Sequence, residues 1–545
     1  MKKELWWKTR TIYQVYVRSF ADSNDDGNGD LPGLISKLDY LNSLGIGAIW
    51  MNPIAKSPMI DNGYDVSDYK DIDPMFGTMQ DFKKLIEKAH HYDIKIIWDF
   101  PLNHCSNKHP WFQKALKNDP KYLKYFYFTD KYNLNRKSLF GGEFWTKAQN
   151  GLYYAHVFSK EQPCLNWHNP NVVNEFIDIM KFWLDQGVDG FRFDAFDEIG
   201  KPLDLFTRND MYNHDTNFVI EKFKQIRQSL WKDSDEIMIV SESGAMDAKE
   251  TNKNTTLANK VYSLIINFEH VHSEFDILVG NRIWKGFDFV KFKKIIEKWQ
   301  TIVKDGWNTL YFNNHDQARS ASRFVYEQTN FFDQKAKALA LTMFALKGTP
   351  FIYQGEEIGM DNSPHTQNLD LINDIMDHKT YIQEVIENKS ITHDEYMKVT
   401  SLYSRDNART PMPWDENGGF NKSMITWLPY NPSYKSINVK SQINDSHSVL
   451  SWYKKLIKLR KNPKVKNAIL WGDFELILKK DKNIFAYKRN YKKQKLLILV
   501  NWSQKIQKHS LNLNKYKVFL NNYQQYQNDI LLPWQAIILK KNQNV

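Results

Sequence analysis

Short apolar runs rich in β-branched and aromatic residues recur along the chain: "TIYQVYVRSF" (11–20), "IGAIWMNP" (46–53), "IKIIWDF" (94–100), "VDGFRFDA" (188–195), "IMIVSE" (237–242), "VYSLIINF" (261–268), "NTLYFNNHD" (308–316) and "TPFIYQGEE" (349–357). Between several of them stand segments with helical spacing, such as "GTMQDFKKLIEKAHHYD", "NEFIDIMKFWLDQG" and "NFVIEKFKQIRQSLW". Eight strand-like runs alternating with helices predict an α/β protein closed as a parallel (β/α)8 TIM barrel.

The spacing also predicts where the barrel is interrupted. Between the third and fourth runs the connection is far longer than a crossover needs, so residues 104–173 are expected to form a small inserted domain after strand 3. The barrel then occupies 1–103 and 174–470, with a subdomain after strand 8 in the stretch 360–450, rich in Asp, Asn and Ser. After the amphipathic "SVLSWYKKLIKLRK" the pattern turns to short alternating strands, which predicts a C-terminal antiparallel β-sandwich over 471–545.

With 42% hydrophobic residues the 545-residue chain can bury a large interior, which excludes a disordered protein. The longest greasy run, "ALALTMFAL", is too short to span a bilayer, and the N-terminus has no apolar stretch behind its basic start; no membrane partner and a cytoplasmic location are expected. Two cysteines without CxxC spacing argue against a disulfide framework. The net charge of +11 is uneven: residues 451–545 hold 21 Lys+Arg against 4 Asp+Glu, or +17, leaving −6 for the rest. These lysines alternate with apolar residues as on the wet side of a sheet, so no nucleic-acid partner is expected.

A barrel of this kind builds its site at the C-terminal ends of its strands. Asn103 and His104, Arg192 and Asp194, Glu242, His315 and Asp316, and Gln354 to Glu357 stand there. Arg192 and Asp194, two apart on one strand, share a face, and the guanidinium is expected to hold Asp194 ionised. Glu242 follows the apolar "IMIV" and shares the mouth with another negative charge; both effects would raise its pKa and keep it a proton donor. Taken singly, Asp194 could cap the next helix and Glu242 could be a solvated strand end. Together they are the pair that glycoside hydrolysis requires, and a retaining pair would lie about 5 to 5.5 Å apart.

"DSNDDGNGD" (22–30) offers oxygens at alternate positions: Asp22, Asn24, Asp26, the carbonyl of Asn28, and Asp30. Hard oxygens at that spacing, with Gly27 and Gly29 in the turn, suit Ca²⁺, although the twelfth position lacks the closing acid and the loop could equally be a solvated acidic turn.

The blocks "WWKTRTIYQVYVRSFADSNDDGNGDLPG", "DNGYDVSDY", "DFPLNH", "GFRFDA", "FNNHDQAR", "GTPFIYQGEEIGM" and "SRDNARTPMPW" resemble, in order and nearly end to end, the α-amylase superfamily of glycoside hydrolases, and within it the oligo-1,6-glucosidase, dextran glucosidase and trehalose-6-phosphate hydrolase branch. The resemblance implies a retaining exo-α-glucosidase acting on short oligosaccharides, a monomer with no organic cofactor. By position it makes Asp194 the nucleophile, Glu242 the general acid and then base, and Asp316 a third carboxylate gripping the sugar. It places Asp61, Tyr64, His104, Arg192 and His315 around the glucose, with Gln162 and Arg405 at the rim. It also makes the 22–30 loop a structural Ca²⁺ site far from the chemistry.

The chain departs from that branch around the second sugar. Ala195 follows the nucleophile where valine commonly accompanies α-1,6 and threonine α-1,4 activity; a Gly-Pro-Arg turn is absent from the stretch after it; and Cys164 and His168 replace acids in "QPCLNWHNP". Two alternatives stay open: hydrolysis of trehalose 6-phosphate, which needs cations at the rim for a phosphate dianion, and a non-catalytic barrel of the amino-acid-transporter heavy-chain type, which tolerates loss of the acids and needs an anchor.

Overall fold

The computed structural model describes residues 5–132, 136–205, 214–231, 236–256, 258–259, 261–272, 275–278, 281–284, 286–324 and 330–542. Each of the eight apolar runs contains a strand of one parallel sheet: β1 Ile12–Val15, β2 Ala48–Met51, β3 Lys95–Pro101, β4 Gly190–Asp194, β5 Met238–Glu242, β6 Leu264–Ile266, β7 Thr309–Leu310 and β8 Thr349–Tyr353. Strands β1, β2 and β8 are buried at every position, as expected when helices cover one face and the barrel interior the other.

Pairing runs in chain order from β1 to β6, and β8 closes back on β1 with Ile12 opposite Phe351. β7 pairs with β8. Among the described residues no backbone ladder joins β6 to β7. Side chains bridge that seam: Thr309 Oγ1 donates to the Ile265 carbonyl (2.7 Å) and Tyr311 Oη to that of Asn267 (2.8 Å).

Helices such as Met79–His91, Pro170–Asp185, Thr216–Trp231 and Phe289–Ile302 form the outer layer. Their starts are encoded locally; Thr78 and Asp81 form a reciprocal capping box, and Asn169 caps a helix with Pro170 at its first position. No helix among the described residues is long and apolar enough to cross a membrane.

The 104–173 segment carries a three-stranded antiparallel sheet, with Tyr153–Ala155 between Phe128–Thr129 and Trp145–Lys147. Tyr127, Phe144, Trp145 and Val157 give it a small core that includes the buried Cys164. At the C-terminus, β9 Asp473–Ile477, β10 Ile484–Tyr491, β11 Gln494–Asn501, β12 Tyr516–Asn521 and β13 Ala536–Lys541 form an antiparallel sheet in the order β9-β10-β11-β13-β12. Alternation divides its residues. Phe485, Tyr487, Ile498 and Ile538 join the barrel core, whereas Ile484, Ala486, Leu497 and Leu539 pack with Leu513 and with Leu531 of a separate two-stranded pair. Period-two alternation therefore has an apolar partner on both faces, and the charge is carried by exposed ends and turns such as Lys492, Lys493 and Lys495.

Candidate active site

The mouth is organised by one guanidinium. Arg192, fully buried, sits opposite Asp99 in the β3–β4 register. It donates to Asp99 (2.9 Å) and Asp194 (2.7 Å) through one nitrogen and to Glu242 (2.6 Å) through the other. Ala195, in the left-handed region at φ 45°, turns the chain sharply after β4 so that its N–H reaches Glu242 at 3.4 Å. Asp194 and Glu242 keep side-chain exposures of only 14% and 12%, enough to meet a ligand while shielded from bulk water.

This corrects part of the electrostatic expectation. Glu242 is not simply surrounded by apolar residues, since the guanidinium expected to hold Asp194 ionised touches Glu242 as well. Burial drives both carboxyls up, Asp194 to about 8, with Arg192 opposing; Glu242 raises Asp194 further, whereas Asp194 lowers Glu242 and the negative charge of Asp316 raises it. Asp99 rises to about 7, again through burial and against Arg192. One cation facing three carboxyls leaves a proton in the cluster, and Arg192 does not assign it to either exposed acid.

The remaining residues named from the sequence close a ring. Asp61 accepts from Gln162 (2.9 Å), whose Nε2 lies 3.1 Å from His104. His104 meets the Tyr64 carbonyl (3.0 Å), and the Tyr64 hydroxyl meets His315 (2.7 Å). His315 contacts Asp316 (3.0 Å), Arg405 donates to Asp316 (3.2 Å), and Arg405 returns to Asp61 at 3.6 Å. The Tyr64 hydroxyl also joins the ring to Arg192 (3.3 Å) and to Asp99 (3.0 Å). Tyr64 stacks on His315, ring centroids 5.4 Å apart.

The local sequence explains the turn that carries Asp61. Asp65 accepts the N–H groups of Ile60 and Asp61, and Gly63 at φ 101° completes the bend. Asp61 is raised to about 7 by burial, against the pull of Arg405 and Arg409. Asp316 goes the other way: although burial would raise it, His315, Arg405 and Arg409 hold it well below the ordinary carboxylate range. Burial keeps both histidines neutral, His104 at about 3 and His315 at about 4.

Sequence reasoning missed Asp99, Arg409, Asp374, Gln14 and Asn52. Gln14 donates to Asn52 and to His315 Nδ1 (both 2.9 Å), and Asn52 donates to the Tyr64 hydroxyl (2.9 Å). An acid inside "IKIIWDF" was the available signal for Asp99. Cys164 is buried and forms an isolated antiparallel bridge with His104, and His168 bonds to the Lys201 carbonyl (2.8 Å).

The 22–30 loop wraps on itself. Asp22 accepts the N–H groups of Asn24 (3.0 Å), Asp25 (2.9 Å) and Gly27 (2.9 Å); Asp26 accepts that of Asn28 (2.8 Å); Asp30 caps the helix Leu31–Ser36 through the Gly33 N–H (2.6 Å) and binds Ser23. Among the described residues no three His, Cys, Asp or Glu side chains converge as a metal cluster. The donors are all hard oxygens, the chemistry a Ca²⁺ site takes, but Asp30 is committed to its cap and to Ser23. The loop is also linked to the pocket: Arg18 donates to Asn28 and to Asn62, the neighbour of Asp61, both at 2.9 Å.

A parallel barrel with three acids at its strand ends, set in a ring of histidine, tyrosine and arginine, defines the class as a barrel glycoside hydrolase. A family model described as "Alpha amylase, catalytic domain" matches residues 14–468. The chain is 38% identical to an oligo-1,6-glucosidase of Parageobacillus thermoglucosidasius, covering 99% of each, and 38% identical to a glucan 1,6-alpha-glucosidase of Streptococcus pneumoniae, again covering 99% of each. A solved trehalose-6-phosphate hydrolase of Bacillus licheniformis superposes with a TM-score of 0.91 at 33% identity, covering 98% of this chain and all of that one. The chain belongs to the α-amylase family of glycoside hydrolases.

Proposed function

We propose that the protein is a retaining exo-α-glucosidase that removes terminal α-1,6-linked glucose from short oligosaccharides. The observation that carries the reading is the contact of Asp194 and Glu242 across Arg192. In the first step Asp194 attacks the anomeric carbon while Glu242 gives the cluster's proton to the departing glycosidic oxygen, leaving a covalent glucosyl-enzyme. In the second, water attacks the same carbon, Glu242 takes its proton and Asp194 leaves. Arg192 stays charged throughout. Asp316, ionised between two guanidinia, supplies negative charge beside the developing oxocarbenium ion, and Asp61, Tyr64, His104, Gln162, His315 and Arg405 hold the glucosyl group.

The relatives named for 1,6-linked glucosides favour that linkage, while the likeness to a trehalose-6-phosphate hydrolase keeps a second reading in view. Against it, Arg192, Arg405 and Arg409 are all engaged by carboxylates. Purified protein assayed on isomaltose, panose, maltose, sucrose and trehalose 6-phosphate tests the choice: isomaltose and panose are expected to be cleaved fastest, and turnover of trehalose 6-phosphate without isomaltose overturns it. Calcium belongs to the same reading, held by Asp22, Asn24, Asp26 and the Asn28 carbonyl, with Asp30 sharing its cap; thermal melting with and without a chelator tests it. The protein is taken as a cytoplasmic monomer, and sedimentation of the purified chain tests the second part.

A further inference from the structure

Asp374 lies in the stretch after β8, fully buried, at the start of the helix Ile375–Tyr381. Its Oδ1 accepts the N–H groups of Met376 (2.8 Å) and Asp377 (3.1 Å), which caps the helix, and takes an arm of Arg405 at 3.1 Å. Its Oδ2 accepts from Arg405 Nε and from Arg409 at 3.2 Å. Asp406 fixes the backbone beneath by accepting the N–H groups of Asn373 (2.6 Å) and Asp374 (3.2 Å).

Each guanidinium then has another nitrogen for Asp316. Arg405 reaches Asp316 Oδ1 at 3.2 Å and Arg409 reaches the same oxygen at 3.0 Å, while Arg409 Nε is anchored on the His315 carbonyl at 3.0 Å. Arginine has many rotamers to lose, and Asp374 fixes Arg405 by gripping two of its nitrogens and Arg409 by taking one while the His315 carbonyl takes another. No other carboxylate among the described residues contacts both arginines except Asp316 itself.

We infer that Asp374 is a positioning residue for glycoside cleavage: by gripping Arg405 and Arg409 it aims both guanidinia at Asp316 and holds that acid in one orientation in the pocket. The inference rests on the α-glucosidase reading above and adds to it a residue that touches no substrate. It acts only through the two arginines.

Two substitutions separate positioning from helix capping. Serine caps helices well but has no second oxygen for the arginines, so D374S keeps the cap and removes the grip. D374N keeps one oxygen for the cap and turns an amide N–H₂ toward guanidinium donors. With p-nitrophenyl α-glucoside, both variants are expected to lose about a hundredfold in kcat/KM, the scale of a small misplacement near the chemistry, while Tm stays within a few degrees. In a D316N background, adding D374N is expected to cost less than about tenfold, well short of its hundredfold loss alone, because the route through Asp316 is already cut and only Arg405's own hold on the glucosyl group remains.

A folded D374S within twofold of wild type, or a D374N loss that multiplies fully onto that of D316N, overturns the inference. So does failure of both variants to fold, which would make Asp374 structural. A wild-type protein that cleaves no α-glucoside overturns the functional reading and this inference together; an active wild type beside an unaffected D374S overturns this one alone.

Discussion

The two halves of the mouth use the same residue types in opposite proportions. On the β3–β5 side one guanidinium, Arg192, serves Asp99, Asp194 and Glu242. Across the ring two guanidinia, Arg405 and Arg409, serve Asp316 and Asp374, with Asp61 further off. All these acids are buried or nearly so, yet burial alone does not sort them. Where cations are scarce, a proton stays and Asp194 rises to about 8; where they are plentiful, Asp316 falls well below its usual range. Fixed negative charge thus sits where His315, Arg405 and Arg409 converge on Asp316, whereas Asp61, 3.6 Å from Arg405 on the same side, stays raised to about 7 by burial.

The largest effect expected from that contrast is on the acid–nucleophile pair. Asp194→Asn should lower kcat by at least about 10⁴-fold with the fold intact, as loss of a covalent nucleophile does; near-normal turnover in a circular-dichroism-matched sample would dissolve the assignment. A smaller effect concerns pH. Asp194 is raised in the folded state, so the cluster's proton is present below about 8 and is lost as pH rises through it. The plot of kcat/KM against pH should therefore bend down above about 8, and the same group contributes stability that is full below the ordinary carboxylate range, fades as pH rises from there, and is gone once pH passes about 8. A profile flat to pH 10 would mean that the Arg192 side holds no working proton. Smallest should be the effect at the 22–30 loop, whose acids take backbone N–H groups rather than guanidinia. Chelation is expected to lower Tm by a few degrees and leave kcat within twofold, measured by calorimetry and initial rates; no change in Tm removes calcium from the account.

Much of this was legible in the sequence. The eight barrel strands coincide with the apolar runs, β3 passing the end of its run by one residue, because strands buried on both faces need continuous Val, Ile and aromatic residues, and Asp194, Glu242 and Asp316 stand at the ends of those runs, whereas Asp61, Tyr64, Gln162 and Arg405 lie in the connections. Long-range register was not legible. Asp99 matters because it lies directly opposite Arg192, and no spacing along the chain reports a cross-strand neighbour. Asp374 and Arg409 come from a stretch of short helices without usable periodicity, and their roles exist only once that stretch folds back on Asp316. Arg192 was read with its neighbour two residues away; its contact with Glu242, fifty positions on, was invisible, and so the expected division into one charged and one protonated acid was drawn too simply.

The seam between β6 and β7 changes what the barrel's weak line means. The first and last barrel strands, β1 and β8, are zipped by a ladder, so the cylinder is held shut where they meet. Among the described residues the unladdered edge falls inside one continuous stretch of polypeptide, so its two lips are joined covalently as well as through Thr309 and Tyr311.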